Sequence, residues 1–391
     1  MTGSVLFYVQ HLLGIGHLRR AHYLINGMTR QGLAVTLVSG GEPLPELKPV
    51  AARHVVQLPP IRAGDSSFKT LVGADGRLVD DALWAARREA LLAAYAKAKP
   101  DALVIEAYPF GRRAFRRELE PLLAAARLAN HRTLVFCSLR DVVVAPADEQ
   151  RAIEIVARVR ADFDAVLVHG DPRLIALEAS FARASEIADR LIYTGYVNAP
   201  QASIDAEETA GIGEVLVSAG GGAVGGALLR AALGARRLGY LADASWRLLA
   251  GPNLPAKEFA ALHIDLPDGV IVERYRSDFS QMLRRCRVSV SQAGYNTVLD
   301  VISAGIPSVL VPFAEMRETE QTLRAERLAA CGVVEMLEPT ALSPERLGDA
   351  IKRAVARHPA ALKLNMGGAR RAASIIAEMI CDRAGADMAK I

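Results

Sequence analysis

The residues able to do chemistry in this chain sit at the ends of short apolar runs. VLFYVQ (5–10) leads into HLLGIGHLRRAHYL (11–24), where Gly14 and Gly16 permit a tight turn and His17 stands at the start of the next helix. A helix N-terminus at that point offers unpaired N–H groups to an anion. A histidine working near neutral pH is suited to take a proton from a hydroxyl. Two carboxylates end apolar runs in the same manner. Glu106 closes ALVIE ahead of Ala107-Tyr108-Pro109-Phe110-Gly111, and Asp141 follows Arg140 after TLVFCSL (133–139). His17, Glu106 and Asp141 are therefore the candidate bases, ranked with His17 first and Glu106 second; a structural ion pair or loop cap is the other reading of each carboxylate.

A second glycine loop lies in VLVSAGGGAVGGALLRAALGA (215–235), where Gly220, Gly222 and Gly225 satisfy G-x-G-x-x-G between a strand and a helix. A dinucleotide site also needs an acidic residue at the end of the next strand. That strand closes on Leu249-Ala250-Gly251-Pro252, so NAD is disfavoured and a loop receiving another nucleotide's diphosphate remains. A third stretch, VSVSQAGYNTVLDVISAGIPSVLVPF (288–313), reads as strand, glycine turn at Gly294, helix carrying Asp300, turn and strand. Glu320 and Gln321 then open another helix.

The elements that must hold these residues alternate along the chain. Apolar runs at 5–10, 34–39, 54–58, 102–107, 133–139 and 165–170 are separated by helical patterns near 17–31, 78–99, 113–129 and 147–161. Residues 191–203 read as an interdomain linker. The pattern then restarts with strands at 214–220, 246–251, 269–275, 287–292 and 307–313 and ends in a helical stretch from about 360 to 388. This predicts α/β architecture with two Rossmann-like domains, their parallel sheets facing a cleft and ligands outside the carboxyl ends of the strands. The 391 residues suit two domains of about 150–200 residues each. Four Cys with no CxxC pair argue against a disulfide scaffold or zinc ribbon, and the lack of a long apolar run or signal-type N-terminus argues for a cytoplasmic protein.

The pattern S-x-A-G-x-x-T-x-x-D-x-x-x-x-G-x-P-x-x-x-V-P beginning at Ser291, followed by Gln321 ahead of Arg324-Ala325-x-x-Leu328, resembles GT-B glycosyltransferases of the MurG-type, family 28 group. Domain order and both glycine loops agree with it. The resemblance implies an N-terminal acceptor domain (1–200), a C-terminal nucleotide-sugar domain (205–365) and a C-terminal helix (366–391) packing back on the N-terminal domain. By position it implies that Asp300 binds the ribose hydroxyls and that Gln321 and Glu320 contact the donor sugar. Gly220, Gly221, Gly222 and Gly294 would lie at the diphosphate, Gln292 would be among the donor-binding residues, and Tyr275-Arg276 would set backbone groups against uracil. His17 would face the acceptor beside Gly14 and Gly16. Two positions depart from the pattern: Asp300 stands where Glu is common, and Arg324 where Asn is common.

The expected reaction is therefore inverting, metal-independent transfer from a UDP-sugar co-substrate to a hydroxyl acceptor, lipid-linked or saccharide, with no resident cofactor. Loops near 40–50 and 59–77 are the expected acceptor pockets. The one D-x-D, Asp162-Phe163-Asp164, precedes a strand and reads as a helix end. A GT-B-like UDP-sugar hydrolase or epimerase is the enzymatic alternative, and a non-catalytic nucleotide-sugar-binding subunit the alternative of another class. Nucleic acid is an unfavourable partner because only 5% of residues are aromatic and the net charge is +4. That excess lies wholly in residues 1–200, which carry 25 Lys and Arg against 21 Asp and Glu. Arg112, Arg113, Arg116 and Arg117 crowd one helix start; Arg87, Arg88, Lys97 and Lys99 lie beside Leu83, Trp84, Leu91, Leu92 and Tyr95 on another. Such a face suits a peripheral contact with an anionic membrane surface, against the alternative of a solvated helix with its apolar side in the core.

Overall fold

The structure, a computed structural model, describes residues 3–12, 16–44, 50–65, 70–129, 133–198, 209–220, 225–313, 320–357, 359–360 and 362–388. The chain divides into two compact units, one of Met1–Ala199 with Leu364–Ile391 and one of Pro200–Lys363.

In the first unit the elements run β1 (Ser4–Val9), α1 (Gly16–Arg30), β2 (Ala34–Ser39), β3 (His54–Gln57), β4 (Ile61–Ala63), β5 (Leu71–Gly73), α2 (Asp81–Ala98), β6 (Ala102–Glu106), α3 (Arg116–Leu128), β7 (Leu134–Arg140), α4 (Glu149–Asp162), β8 (Ala165–His169) and β9 (Leu191–Tyr193). Seven strands form one parallel sheet in the order β3-β2-β1-β6-β7-β8-β9. Its central strands are apolar along their length because helices cover both faces, and β6 and β8 are buried at every position. Order reverses at β1, which pairs with β2 on one side and β6 on the other. This is the switch point at which α/β sheets bind ligands.

The second unit runs β10 (Val215–Ser218), α5 (Gly226–Arg237), β11 (Trp246–Leu249), α6 (Ala256–Ala261), β12 (Val270–Glu273), α7 (Phe279–Leu283), β13 (Val288–Ser291), α8 (Tyr295–Ala304), β14 (Ser308–Leu310), α9 (Glu320–Ala330), β15 (Glu335–Met336) and α10 (Pro344–Ala356). Its parallel sheet has the order β12-β11-β10-β13-β14-β15, with the switch point between β10 and β13. The last helix, α11 (Gly368–Met388), returns to the first unit. There Ala372, Ala373, Ile376 and Ile380 share a core with Leu24, Ile25 and Met28 of α1. Gly27 makes that approach possible, since a Cβ there would stand 2.8 Å from the carbonyl oxygen of Ala369.

Three sequence expectations are corrected. Leu191–Tyr193, read as linker, is an edge strand paired with β8; three residues are too few to show a period. The loop 59–77 contains an antiparallel hairpin of β4 and β5. The C-terminal helix begins at Gly368 instead of about 360, because the chain before it is tied down as extended backbone. Asn365 accepts from Tyr196 N–H at 2.7 Å and donates its own N–H to Asp171 at 3.1 Å.

Candidate active site

The first site grows from the switch point of the first sheet. β6 ends on Glu106, and the turn after it places Ala107 at φ 66° and Arg112 at φ 59°, a left-handed backbone in two residues other than glycine. Strain of that kind is kept where the surroundings impose it, and it clusters at functional sites. Glu106 is fully buried. Its carboxylate receives His17 Nδ1 at 2.8 and 2.9 Å on its two oxygens, and the Arg20 guanidinium on Oε1. His17 lies in the first turn of α1 with 23% of its side chain exposed. All of these contacts fall on Nδ1, so the neutral imidazole donates there and keeps a lone pair on Nε2.

Electrostatics follow the geometry. Burial lowers the His17 pKa to about 4; Glu106 pulls it upward, and Arg112 and Arg20 push it down. Burial alone would raise the Glu106 carboxyl, but His17, Arg20 and Arg112 outweigh it and hold the group below the usual carboxylate range. Arg112 donates to the Gln10 carbonyl at 2.9 Å. Gln10 in turn accepts Arg87 at 2.9 Å and donates to the carbonyls of His11 and Ile61 at 2.7 and 2.9 Å. Arg87 forms a bidentate pair with buried Glu118 at 2.8 and 2.7 Å, and Tyr8 donates to Glu118 at 2.6 Å. Arg87 also donates to the carbonyls of Gly40 and Pro59 at 2.8 and 2.6 Å. The loops after β1, β2 and β3 are thus fastened to one buried guanidinium.

This corrects the reading of Arg87 as part of a basic surface: it is completely buried, and Trp84, Leu91 and Tyr95 belong to the core. Arg117 and Arg113 meet Asp81 and Glu154 at 2.7 and 3.6 Å, while Arg88, Arg116, Lys97 and Lys99 are exposed. Asp141 is fully buried and accepts the N–H of Val142 at 3.0 Å. Gly16 is the first residue of α1; Gly14 lies outside the described residues. In the D-x-D, Asp162 ends α4 and pairs with Arg127 and Arg158, while Asp164 accepts from Val135 N–H. Among the described residues no group of three or more His, Cys, Asp or Glu is placed to hold a metal ion.

The second site lies at the switch point of the other sheet. Ser218 ends β10, and its hydroxyl accepts the N–H of Gly220 at 3.4 Å. Ser291 ends β13 with a buried hydroxyl that has no hydrogen-bond partner among the described residues. A Cβ at Gly220, where φ is 72°, would lie 3.7 Å from Gln292 Oε1, so Gly220 and Gln292 face one another. Gly294 begins α8 with open space on its side-chain side and no capping side chain, and Gly225 begins α5 without one. Side-chain caps are present on α2, α4 and α10 (Asp80, Asp148 and Ser343), and α3, α6 and α7 lack one as α5 and α8 do. The capped helices have a side-chain acceptor on a first-turn N–H, whereas α5 and α8 have none among the described residues.

Asp300 stands half-buried on α8. The Gln321 side-chain Oε1 accepts the N–H of Phe313 at 3.0 Å, and Glu320 accepts Arg324 at 3.0 Å. Arg324 is completely buried and also donates to the Ala293 carbonyl at 3.1 Å, joining α9 to the turn after β13. The Arg276 side chain pairs with Asp278 at 2.8 and 2.6 Å. Gly221 and Gly222 lie outside the described residues. Sequence reasoning missed Arg20; its signal is the i, i+3 spacing from His17, which puts both on one helix face.

Two parallel-sheet domains, one with the His17–Glu106–Arg20 cluster at its switch point and the other with helix starts lacking side-chain caps, have the GT-B architecture. Solved structures share it along nearly the whole chain. The glycotransferase of kitacinnamycin has a TM-score of 0.67 at 17% identity, covering 97% of this chain and 100% of that one. MurG of Acinetobacter baumannii has a TM-score of 0.59 at 16% identity, covering 96% and 99%.

Residues 227–379 match the model of the glycosyltransferase family 28 C-terminal domain. The chain is 29% identical over 117 residues to the UDP-N-acetylglucosamine–N-acetylmuramyl-(pentapeptide) pyrophosphoryl-undecaprenol N-acetylglucosamine transferase of Rhizobium johnstonii, covering 29% of this chain and 31% of that protein. Against the Vibrio atlanticus protein of the same name it is 30% identical over 123 residues, covering 32% and 34%. The chain thus spans about a third of the length of these curated relatives, and it resembles the MurG-type, family 28 GT-B glycosyltransferases.

Proposed function

We propose that this protein is an inverting, metal-independent glycosyltransferase that moves a sugar from a UDP-sugar to a hydroxyl acceptor. The observation that carries the reading is the His17–Glu106 pair at the first switch point. Glu106 holds Nδ1 and leaves Nε2 as a proton acceptor. In the reaction Nε2 takes the acceptor hydroxyl proton, the oxygen bonds to the anomeric carbon, and the bond from that carbon to the phosphate oxygen breaks. UDP leaves with the electron pair, and the configuration inverts because attack comes from the opposite side. His17 and Glu106 then work as one unit, with the carboxylate orienting the base.

On the donor side, the uncapped starts of α5 and α8 and the orphaned Ser291 hydroxyl supply N–H and O–H groups for a diphosphate whose charge grows as the bond breaks. Asp300 holds the ribose, and Glu320 and Gln321 meet the sugar. The family 28 match and the relatives' names support UDP as the nucleotide and a lipid-linked hydroxyl as the acceptor. No helix among the described residues is long and apolar enough to cross a membrane, and the exposed cations Arg88, Arg116, Lys97 and Lys99 support a peripheral approach to anionic lipid.

UDP release from UDP-sugars, measured with and without a membrane lipid extract, tests the assignment. Release that depends on the extract and disappears in His17→Ala is expected. Extract-independent release points to a hydrolase, and undiminished transfer by His17→Ala removes the proposed base.

A further inference from the structure

We propose that Arg20 is a positioning residue of the His17–Glu106 pair: its guanidinium clamps the carboxylate against Nδ1 and so fixes the direction of the imidazole. The proposal rests on the reading of His17 as the base and adds a residue and a control to it.

The argument begins with burial. Glu106 has no exposed surface, and an ionised carboxylate there needs more than one neutral donor to offset its lost hydration. His17 supplies one donor, and Arg20, only 4% exposed, supplies the opposite charge on Oε1. Because His17 and Arg20 sit three residues apart on α1, the helix presents both to β6 as a rigid pair, and the Arg20 terminal nitrogen lies 3.3 Å from Nδ1. Two donors on one carboxylate fix its plane, and the carboxylate fixes the ring, so Nε2 keeps one direction.

Charge balance gives Arg20 a second, smaller role, behind burial and the charge of Arg112. The groups facing His17 are Glu106 from β6, Arg20 from its own helix and Arg112 from the turn after β6. Behind the carboxylate lie Cys137 on β7 and His169 at the end of β8, and Arg140 faces Arg112. Of the charged groups facing His17, Glu106 alone favours the imidazolium, and Arg20 both neutralises it and repels the extra proton. Removing Arg20 strengthens Glu106 and removes a repulsion, and both changes raise the pKa of His17.

The test is an NMR titration of the His17 imidazole in the full chain, without donor or acceptor, with the signal assigned through His17→Gln. In the wild type the midpoint should fall near pH 4, well under the ordinary value of about 6.5. Arg20→Gln should raise it, with burial and Arg112 still holding it under the ordinary value, and Arg20→Lys, which keeps the charge, should leave it where it is in the wild type. A purely structural Arg20 would change stability but not the midpoint. A wild-type midpoint at the ordinary value overturns the proposal whether or not the variants fold, as does an unshifted Arg20→Gln. Since no turnover is involved, this result is separate from the transferase assignment, which fails instead if His17→Ala still transfers sugar.

Discussion

The two parallel sheets reverse strand order at equivalent places, between β1 and β6 in one unit and between β10 and β13 in the other, yet carry opposite chemistry there. The first holds the buried ion pair of Glu106 and Arg20 with the neutral His17 imidazole against it, and left-handed backbone in Ala107 and Arg112. The second holds small hydroxyls, Gly220, Gly294 and helix starts without side-chain caps. In the proposed reaction a proton is moved at one and a diphosphate received at the other. The first task needs a fixed direction and a tuned charge, which only packed side chains supply. The second needs backbone N–H groups brought close to phosphate oxygens, which side chains would obstruct. One fold thus serves both tasks because its switch point fixes where a ligand sits and leaves the lining to the sequence.

The largest expected effect separates the two switch points by kinetics. Glu106→Gln removes the charge that orients His17 while keeping its shape. Turnover should fall by about 100-fold to 10,000-fold, the usual range for loss of general base catalysis. Calorimetric affinity for UDP should stay within about two-fold, since the donor groups belong to the other sheet. A variant that loses UDP binding as well would break the division of labour.

The converse substitution is Gly220→Val. A β-branched residue at φ 72° costs about 1–3 kcal/mol of backbone strain, and its side chain would crowd Gln292. UDP affinity should fall about ten-fold or more, the equivalent of about 1.4 kcal/mol. The imidazole titration of His17 should not move. Unchanged UDP binding would show that the loop after β10 does not receive the diphosphate.

What the sequence disclosed follows from how local each signal is. The parallel sheets were legible because strands buried on both faces are written as apolar runs, and the glycine turns and His17 because they lie beside those runs. Glu106 was visible as a strand end, but its contact with a residue 89 positions earlier depends on β1 and β6 becoming neighbours. Pairing made His17 and Glu106 one device where the sequence could only rank them as rivals. Arg87 was misread because its helix looks amphipathic and basic, and its partner Glu118 comes from a different helix. Arg324 shows the same limit: the residue type is a plain departure from the family pattern, while its task of joining Glu320 to the Ala293 carbonyl exists only in the fold.

The smallest effect concerns stability, and it again divides the units. Burial lowers the pKa of His169 to about 3, and its two ring nitrogens are held by Ser138 and Thr194, both at 2.9 Å. His17 is depressed to about 4, and burial lowers His11 and His22 as well. In the unfolded chain these groups gain a proton near pH 6.5, whereas the folded chain takes it at lower pH, for His17 and His169 only near pH 4 and 3. The unfolded state therefore binds more protons between those limits, and folded stability is present above about pH 6.5 and falls as the pH drops. His17 and His169 each cost about 1.4 kcal/mol per pH unit, or about 2 kcal/mol on moving from pH 7 to pH 5. In the second unit the described histidine, His263, is exposed on the surface. Opening free energies from hydrogen–deuterium exchange, corrected for intrinsic rates, should therefore drop over that interval in β6–β8 and change less in β10–β13. His169→Gln should recover about 2 kcal/mol of the drop. An equal fall in both sheets would mean that the acid sensitivity does not arise from the buried imidazoles.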